Sequence, residues 1–295
     1  MSMKTGIIGG SGLYSVDGIQ NPNWVQVNTP FGSPSDSYLH GILEGQEVYF
    51  LPRHARGHTL LPSEINYRAN IFGFKALGVD RVISISAVGS LREELRPRDI
   101  VFPDQYFDRT KRYEDHTFFG RGIVAHVPFA EPICPQLKNE LVQCAEKVIA
   151  KGTEYNGILV HKDGTYVNME GPAFSTKAES YFYRQCKFDV IGMTSLTEAK
   201  LCREAEMCYT TLAMITDYDC WHEEFESVSL EMIIGNLVAN TKLSQDILRH
   251  FLQSASEQRT CTCGTALKNS IVTTPDAVPL ERKEALKPII GKYMS

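Results

Sequence analysis

Tryptophan is scarce, with 2 residues in 295, and no stretch approaches the ~18 unbroken apolar residues of a membrane span. Basic residues do not dominate: 30 Lys and Arg face 35 Asp and Glu, for a net charge of −5. A protein that grips nucleic acid irrespective of sequence needs a phosphate-neutralising basic surface, so that class of partner is excluded. The N-terminal MSMKTGIIGGSGLY has no apolar signal core followed by a small-residue cleavage site, and we expect a soluble, cytoplasmic protein with no membrane partner. None of the 8 cysteines forms a C-x-x-C pair, which excludes a zinc ribbon on spacing, and no metal site is expected. Most read as small buried hydrophobes. Cys261-Thr262-Cys263, with Cys134, Cys202 and Cys208, also admits disulfides. Repeats and low-complexity linkers are missing too.

What is present is ordinary globular composition: 43% hydrophobic and 22% charged residues, with 22 Gly and 14 Pro. A chain of this length can bury roughly three quarters of its unfolded surface. Apolar strand-like runs at Lys4–Ile8, Glu47–Leu51, Arg81–Ser86, Ile158–His161, Asp189–Met193 and Cys208–Thr216 alternate with helical patterns. Pro62-Ser63-Glu64 opens a helix that stops at Gly78, and Pro135 opens one that ends at Gly152. Thr176-x-x-Glu179 and Ser195-x-x-Glu198 match the capping box. Val228 to Phe251 carries a 3.6-residue apolar period through Met232, Leu237 and Leu243. This alternation predicts an α/β fold, a single domain over residues 1–254 with a central mixed, mostly parallel β-sheet flanked by helices. Residues 255–295 are more polar and read as a C-terminal extension.

Open α/β sheets hold ligands beyond the carboxyl ends of their strands, so the residues after each run are the place to look. Gly9-Gly10-Ser11-Gly12 follows the first run. It is not a dinucleotide fingerprint, because Ser15 stands where glycine is required; nor a Walker A loop; nor a nucleophile elbow, because Leu13 follows where glycine is needed. It can still cup an anion with backbone amides. Arg53 and His54 leave the second run as a forked cation plus a second donor. Ser86 and Ala87 leave the third, and Gly192-Met193-Thr194-Ser195 places hydroxyls at a helix N-terminus. Four strand exits thus each supply anion donors. The longest run ends in Asp217-Tyr218-Asp219, and residues two apart on a strand face one way. Two close carboxylates repel, so one pKa rises and that group can serve as a general acid near neutrality. Phe174 and Met193 are candidates for an apolar wall.

Taken together, GIIGGSGL, NTPFGSPSD, RHARGHTLLPSEINYRAN, SAVGSLREELRPRDIV, DQYFDRT, HVPFAEPICP, EGPAFSTKAES, GMTS and TDYDCW resemble, in order and from about residue 4 to 250, the methylthioadenosine phosphorylases of the trimeric purine nucleoside phosphorylase superfamily. The resemblance implies that fold, and phosphorolysis of 5′-methylthioadenosine to adenine and 5-methylthioribose 1-phosphate. Orthophosphate would be co-substrate and nucleophile, with no cofactor and no metal. By position it implies phosphate binding by Ser11, Arg53, His54, Ser86, Ala87 and Thr194, and Met193 under the ribose. Phe174 would stack on the purine, and Asp217 and Asp219 would read the base and act in catalysis, with Tyr218 between them. Ser175 and Leu230 match specificity positions. His126 matches a histidine that closes the 5′ pocket of a neighbouring subunit, so the resemblance also implies a homotrimer, or a hexamer built as a dimer of trimers, with the site at a subunit interface. Ser11 stands where many relatives carry threonine and Gly192 where many carry asparagine. A purine nucleoside phosphorylase acting on adenosine, inosine or methylthioinosine is the nearest alternative; a non-catalytic nucleotide-binding module is the alternative of another class.

Overall fold

A computed structural model describes residues 3–222 and 230–294. The sequence alternates apolar side chains to two faces of one sheet, and this decides where the core lies. Ile7, Val48, Phe50, Ile83, Ile85, Leu212 and Met214 share one cluster; Ile8, Tyr49, Leu51, Val82 and Tyr209 belong to another. The strands that carry them are β1 (Thr5–Gly9), β4 (Gln46–Pro52), β5 (Arg81–Ser90) and β11 (Cys208–Tyr218). Strands buried on both faces read as continuous apolar runs, which is why these four were visible in the sequence. The first face is covered by α2 (Pro135–Lys151) and α5 (Leu230–Ser254), the second by α1 (Tyr67–Ala76) and α4 (Ser195–Glu204).

Among the described residues the sheet has eleven strands. β2 (Gln20–Val25) and β3 (Tyr38–Leu43) extend one edge antiparallel to β4. β4, β1, β5 and β11 run parallel. On the far side β10 (Val190–Gly192) pairs antiparallel with β5 and parallel with β9 (Thr165–Met169), which carries β7 (Gln105–Arg109). β6 (Ile100–Val101) and β8 (Val160–His161) hang from β11. The result is the single-domain, mixed and mostly parallel α/β sheet that the sequence predicts.

β5 changes neighbours along one edge. β1 accompanies it as far as Ile85, opposite Gly9; β10 takes over at Gly89, opposite Ile191. Between these points Ser86, Ala87 and Val88 have no ladder partner on that edge among the described residues. Their other edge is paired throughout by β11. The fold therefore opens a slot in the middle of its own sheet.

Several local expectations are revised. Pro62–Glu64 is a separate 3-10 turn, and α1 starts at Tyr67 with Asn66 as its N-cap, accepting from the Ala69 amide at 3.1 Å. Thr176-x-x-Glu179 is a capping box, opening α3 (Lys177–Gln185). Ser195-x-x-Glu198 is not one: the cap of α4 is Thr194, without a side-chain bond, and the Glu198 carboxylate turns inward. The 158–161 run supplies only the two-residue β8. Val228 lies outside the described residues, and so does the side chain of Met232. Residues from 255 onward lie against the body: Leu267, Val278, Leu286, Ile289 and Ile290 join the cluster around α1 and α4. No described helix is long and apolar enough to cross a membrane.

Candidate active site

Register brings the anion donors to one level. Gly9 pairs with Pro52 on one side and Ile85 on the other, so Gly10-Ser11 and Arg53-His54 leave their strands beside Ser86-Ala87, which is no strand exit as expected but the middle of β5, since the strand runs on to Ser90. The approach is tight: a Cβ on Gly10 would lie 2.5 Å from the Ile85 carbonyl oxygen and 2.7 Å from Arg53 Nη1. Glycine is required there because backbone and guanidinium meet without room for a side chain. β10 runs antiparallel to β5, with Ile191 opposite Gly89. Its continuation through Met193 to Thr194 therefore heads back toward the level of Ser86. Thr194 is buried at the N-terminus of α4, whose dipole favours an anion.

Arg53 is 1% exposed, and its guanidinium is held from inside by all three nitrogens, with one Nη1 hydrogen left over for a ligand. Nε and Nη2 donate to the two oxygens of Glu198, Nη2 donates to Ser84 Oγ at 2.6 Å, and Nη1 points at the Ile85 carbonyl at 3.3 Å. Ser84 Oγ and the Tyr209 hydroxyl also donate to Glu198 Oε2, at 2.6 and 3.0 Å. Glu198, Ser84 and Tyr209 support the candidate site from beneath, and the sequence expectations do not place them there. The signal was present in Glu198, a carboxylate on the inner face of α4, but it matched a helix cap and was read as one.

His54 differs from expectation. Its Nδ1 lies 2.9 Å from the Leu60 carbonyl, which can only accept, so Nδ1 carries the proton. Burial, then the Arg53 charge, lower its pKa to about 4. The ring is neutral near pH 7 and offers Nε2 as an acceptor, in place of the second donor anticipated.

Further along β5, Asp217 stands opposite Gly89, two residues beyond Ala87 and hence about 7 Å along the strand. A bulge at Thr216 interrupts the register between Ile215 and Asp217. Asn240 Nδ2 donates to the Ile215 carbonyl and Asn236 Nδ2 to that of Thr216, each at 2.9 Å. Two amides of α5 thus hold the irregularity that aims Asp217, a common use of bulges beside binding sites. Thr216 Oγ1 donates to Asp217 Oδ2 at 2.6 Å. The Asp217 carboxyl is pushed up to about 6, first by burial, with Thr216 opposing and the Asp219 charge adding to the rise. The anticipated elevation exists, but burial leads and carboxylate repulsion follows. Asp219 is buried, its amide bonds the Ser90 carbonyl at 2.9 Å, and its Oδ2 has no hydrogen-bond partner among the described residues.

Met193 is half-buried, with its sulfur against Gly171, where a Cβ would come within 2.6 Å. A Cβ on Gly192 would strike the Tyr166 hydroxyl at 1.9 Å, so an asparagine there is incompatible with this packing. The Ser175 carbonyl accepts from Cys220 Sγ at 3.3 Å, which brings the 170–176 loop beside the Asp217–Asp219 segment. Phe174, on that loop, is 84% exposed. Tyr218 points the other way, its hydroxyl donating to the Glu93 carbonyl at 3.1 Å and its ring stacked on His222. His126 is exposed, and its amide donates to the Ser270 carbonyl at 2.8 Å. The Leu230 side chain lies outside the described residues.

The profile of the phosphorylase superfamily matches residues 4–253. The chain belongs to that superfamily. Within it, the chain is 54% identical to S-methyl-5′-thioadenosine phosphorylase of Koribacter versatilis, covering 99% of this chain and 97% of that protein. It is 50% identical to the Geobacter sulfurreducens phosphorylase of the same name over the whole of both chains. Among solved structures, a methylthioadenosine phosphorylase from an antarctic soil metagenomic library superposes with a TM-score of 0.90 at 45% identity, covering 98% of this chain and 99% of that one. The Schistosoma mansoni methylthioadenosine phosphorylase in complex with adenine gives 0.78 at 35% identity, covering 85% and 91%. This phosphorylase is therefore an enzyme of the S-methyl-5′-thioadenosine phosphorylase type, and the match to relatives runs through residues 255–295 as well.

Proposed function

We propose that this phosphorylase converts 5′-methylthioadenosine and orthophosphate to adenine and 5-methylthioribose 1-phosphate, in the cytoplasm. The observation that carries the reading is spacing along one strand. The candidate anion donors Ser86, buried, and Ala87, half-buried, lie two to three residues before Gly89, opposite which stands a carboxyl with a pKa of about 6. Between them is about the width of a ribose.

In this reading Ser11, Arg53, Ser86, the Ala87 amide and Thr194 hold phosphate. His54 Nε2 accepts the phosphate's remaining P–OH proton, which turns a lone pair toward the sugar. Met193 packs under the ribose and Phe174 swings onto the purine. The C1′–N9 bond breaks as a phosphate oxygen bonds to C1′, and the electrons of the broken bond go to the purine. Asp217 gives its proton to N7, so the base leaves neutral; a positioned acid contributes typically ~10²–10⁴-fold. With a pKa of about 6 it is protonated in roughly a tenth of molecules at pH 7. Asp219 Oδ2, which has no partner among the described residues, accepts from the 6-amino group. A 6-oxopurine has no donor there and would leave that oxygen buried and unpaired. Ser175 and Leu230 tune fit at the base and the 5′ group. His126 reaches the 5′ end of a neighbouring subunit's nucleoside, which makes the working form a trimer or a dimer of trimers. The chemistry runs through protein groups and phosphate, without a cofactor.

The test is base release from methylthioadenosine, adenosine and inosine at saturating phosphate and without phosphate. We expect release only with phosphate and the highest kcat/KM for methylthioadenosine. Preference for inosine would overturn the reading of the Asp pair; release without phosphate would overturn phosphorolysis.

A further inference from the structure

Four cysteines that are scattered in sequence converge at the opposite end of β11 from the site. The sulfurs of Cys134, Cys208, Cys261 and Cys263 all lie within 4.8 Å of one another, and three of the four residues are buried. None is in a disulfide; the Cys208 and Cys261 sulfurs are 3.4 Å apart. Four thiolates at about 2.3 Å from a tetrahedral ion stand about 3.8 Å from each other, so a contraction of about 1 Å at most closes the cluster around one.

Hydrogen bonds that need no ion hold three of the four in place. Cys134 caps α2, and its sulfur accepts from the Leu137 amide at 3.5 Å. The Cys134 amide donates to the Tyr209 carbonyl at 2.9 Å, which ties it to the start of β11, where Cys208 sits. Gln136, in the first turn of α2, accepts from the Thr260 amide at 2.8 Å and the Cys261 amide at 3.3 Å, and donates to the Gln258 carbonyl at 3.0 Å. Arg81 pairs with Cys208 in the ladder, and its guanidinium donates to the Ser256 carbonyl at 3.0 Å. A cation thus lies beside a centre that carries net negative charge when metallated.

We propose that Cys134, Cys208, Cys261 and Cys263 bind one structural Zn²⁺. Four sulfurs, mostly buried, select zinc or iron over harder ions, and four protein ligands leave no position open for catalysis. On binding, each thiol releases its proton to solvent and no group is oxidised or reduced. The absence of C-x-x-C spacing does not count against the site, because its halves come from the sheet and α2 on one side and the C-terminal segment on the other. The ion pins residues 255–294 to the body about 30 Å, nine strand residues, from Asp217. Stability should respond to it; chemistry should not.

The full-length protein, without a polyhistidine tag, is produced in zinc-supplemented medium and analysed by plasma mass spectrometry. We expect one zinc per chain, released when p-hydroxymercuribenzoate titrates the thiols, with a fall in Tm and an unchanged kcat at low temperature. Refolding with Co²⁺ should give the intense thiolate-to-metal absorption of a tetrahedral site. Cys261→Ser/Cys263→Ser should abolish zinc, and Cys186→Ser, which alters an exposed cysteine outside the cluster, should retain it. The measurements on the unaltered chain stand even if the double variant fails to fold. Metal-free protein, whether its intact mass shows the cysteines oxidised in pairs or all as free thiols, overturns the site. Stoichiometric iron on the same cysteines overturns zinc as its ion.

Discussion

Replacing Asp217 by asparagine should slow the enzyme and stabilise the fold at once. Asparagine keeps an oxygen for the Thr216 hydroxyl, so the local hydrogen bond at 2.6 Å survives, but the side chain cannot surrender a proton to a departing base. The rate loss expected is ~10²–10⁴-fold in kcat, or about 3–5 kcal/mol of barrier. Stability should move the opposite way. The carboxyl titrates near 3.8 when exposed and near 6 when folded, so the native state holds a proton that the unfolded chain has lost between those values. The contribution of the protonated group is fully present below pH 3.8 and is lost as pH rises through 6. Near pH 7 the wild type therefore carries a penalty of about 3 kcal/mol that asparagine avoids. For a chain of this size that is a rise in Tm of about 5 °C. Thermal unfolding at pH 7 and pH 4, paired with initial rates, checks both arms, and the gain in Tm should shrink toward the acid end. Wild-type turnover in the variant, or a lower Tm at pH 7, would refute the reasoning, because it would mean that the carboxyl is neither the proton source nor buried at a cost.

Arg53→Ala should destabilise the protein by about 3–5 kcal/mol, since it strands Glu198 in the interior. Glu198→Gln should instead raise the phosphate KM with little change in nucleoside KM, and steady-state kinetics against each substrate separates the two. Asn236→Ala removes one of the two clamps on the Thr216 bulge and should lower kcat about tenfold while the phosphate KM stays constant. If His126 completes a neighbour's pocket, His126→Ala and Asp217→Asn oligomers, dissociated and mixed, should regain activity above either parent; an unchanged rate in the mixture would place His126 outside the site.

The strands of the central sheet were legible because two-sided burial demands an unbroken apolar run, as in CYTTLAMIT. β2, with the sequence QNPNWV, was not: it lies exposed on the sheet edge, where neither burial nor propensity leaves a pattern. The candidate anion donors were legible one apolar run at a time, although Ser86-Ala87 lies inside β5 and not beyond its end. What joins them was not. Glu198 meets Arg53 across 145 residues, and no local spacing announces that pairing. The His54 tautomer likewise depends on a carbonyl six residues away, at Leu60, which a sequence shows without showing its direction. The Asp217–Asp219 pair was anticipated from alternation, yet the strand reaches it through a bulge that alternation cannot foresee.

The exchange of partners along β5 makes the sheet two half-sheets joined by a seam at Ser86–Val88. In the proposed reading phosphate is held by Ser11 and Arg53 on the β1 side of that seam and by Thr194 beyond β10, with the nucleoside beside it, so the pair of substrates would act as a rivet across it. Rigidity of the sheet would then belong to the loaded enzyme more than to the empty one. Amide hydrogen exchange at Ala87 and Val88 should slow sharply only when both substrates, or an analogue spanning both, are bound.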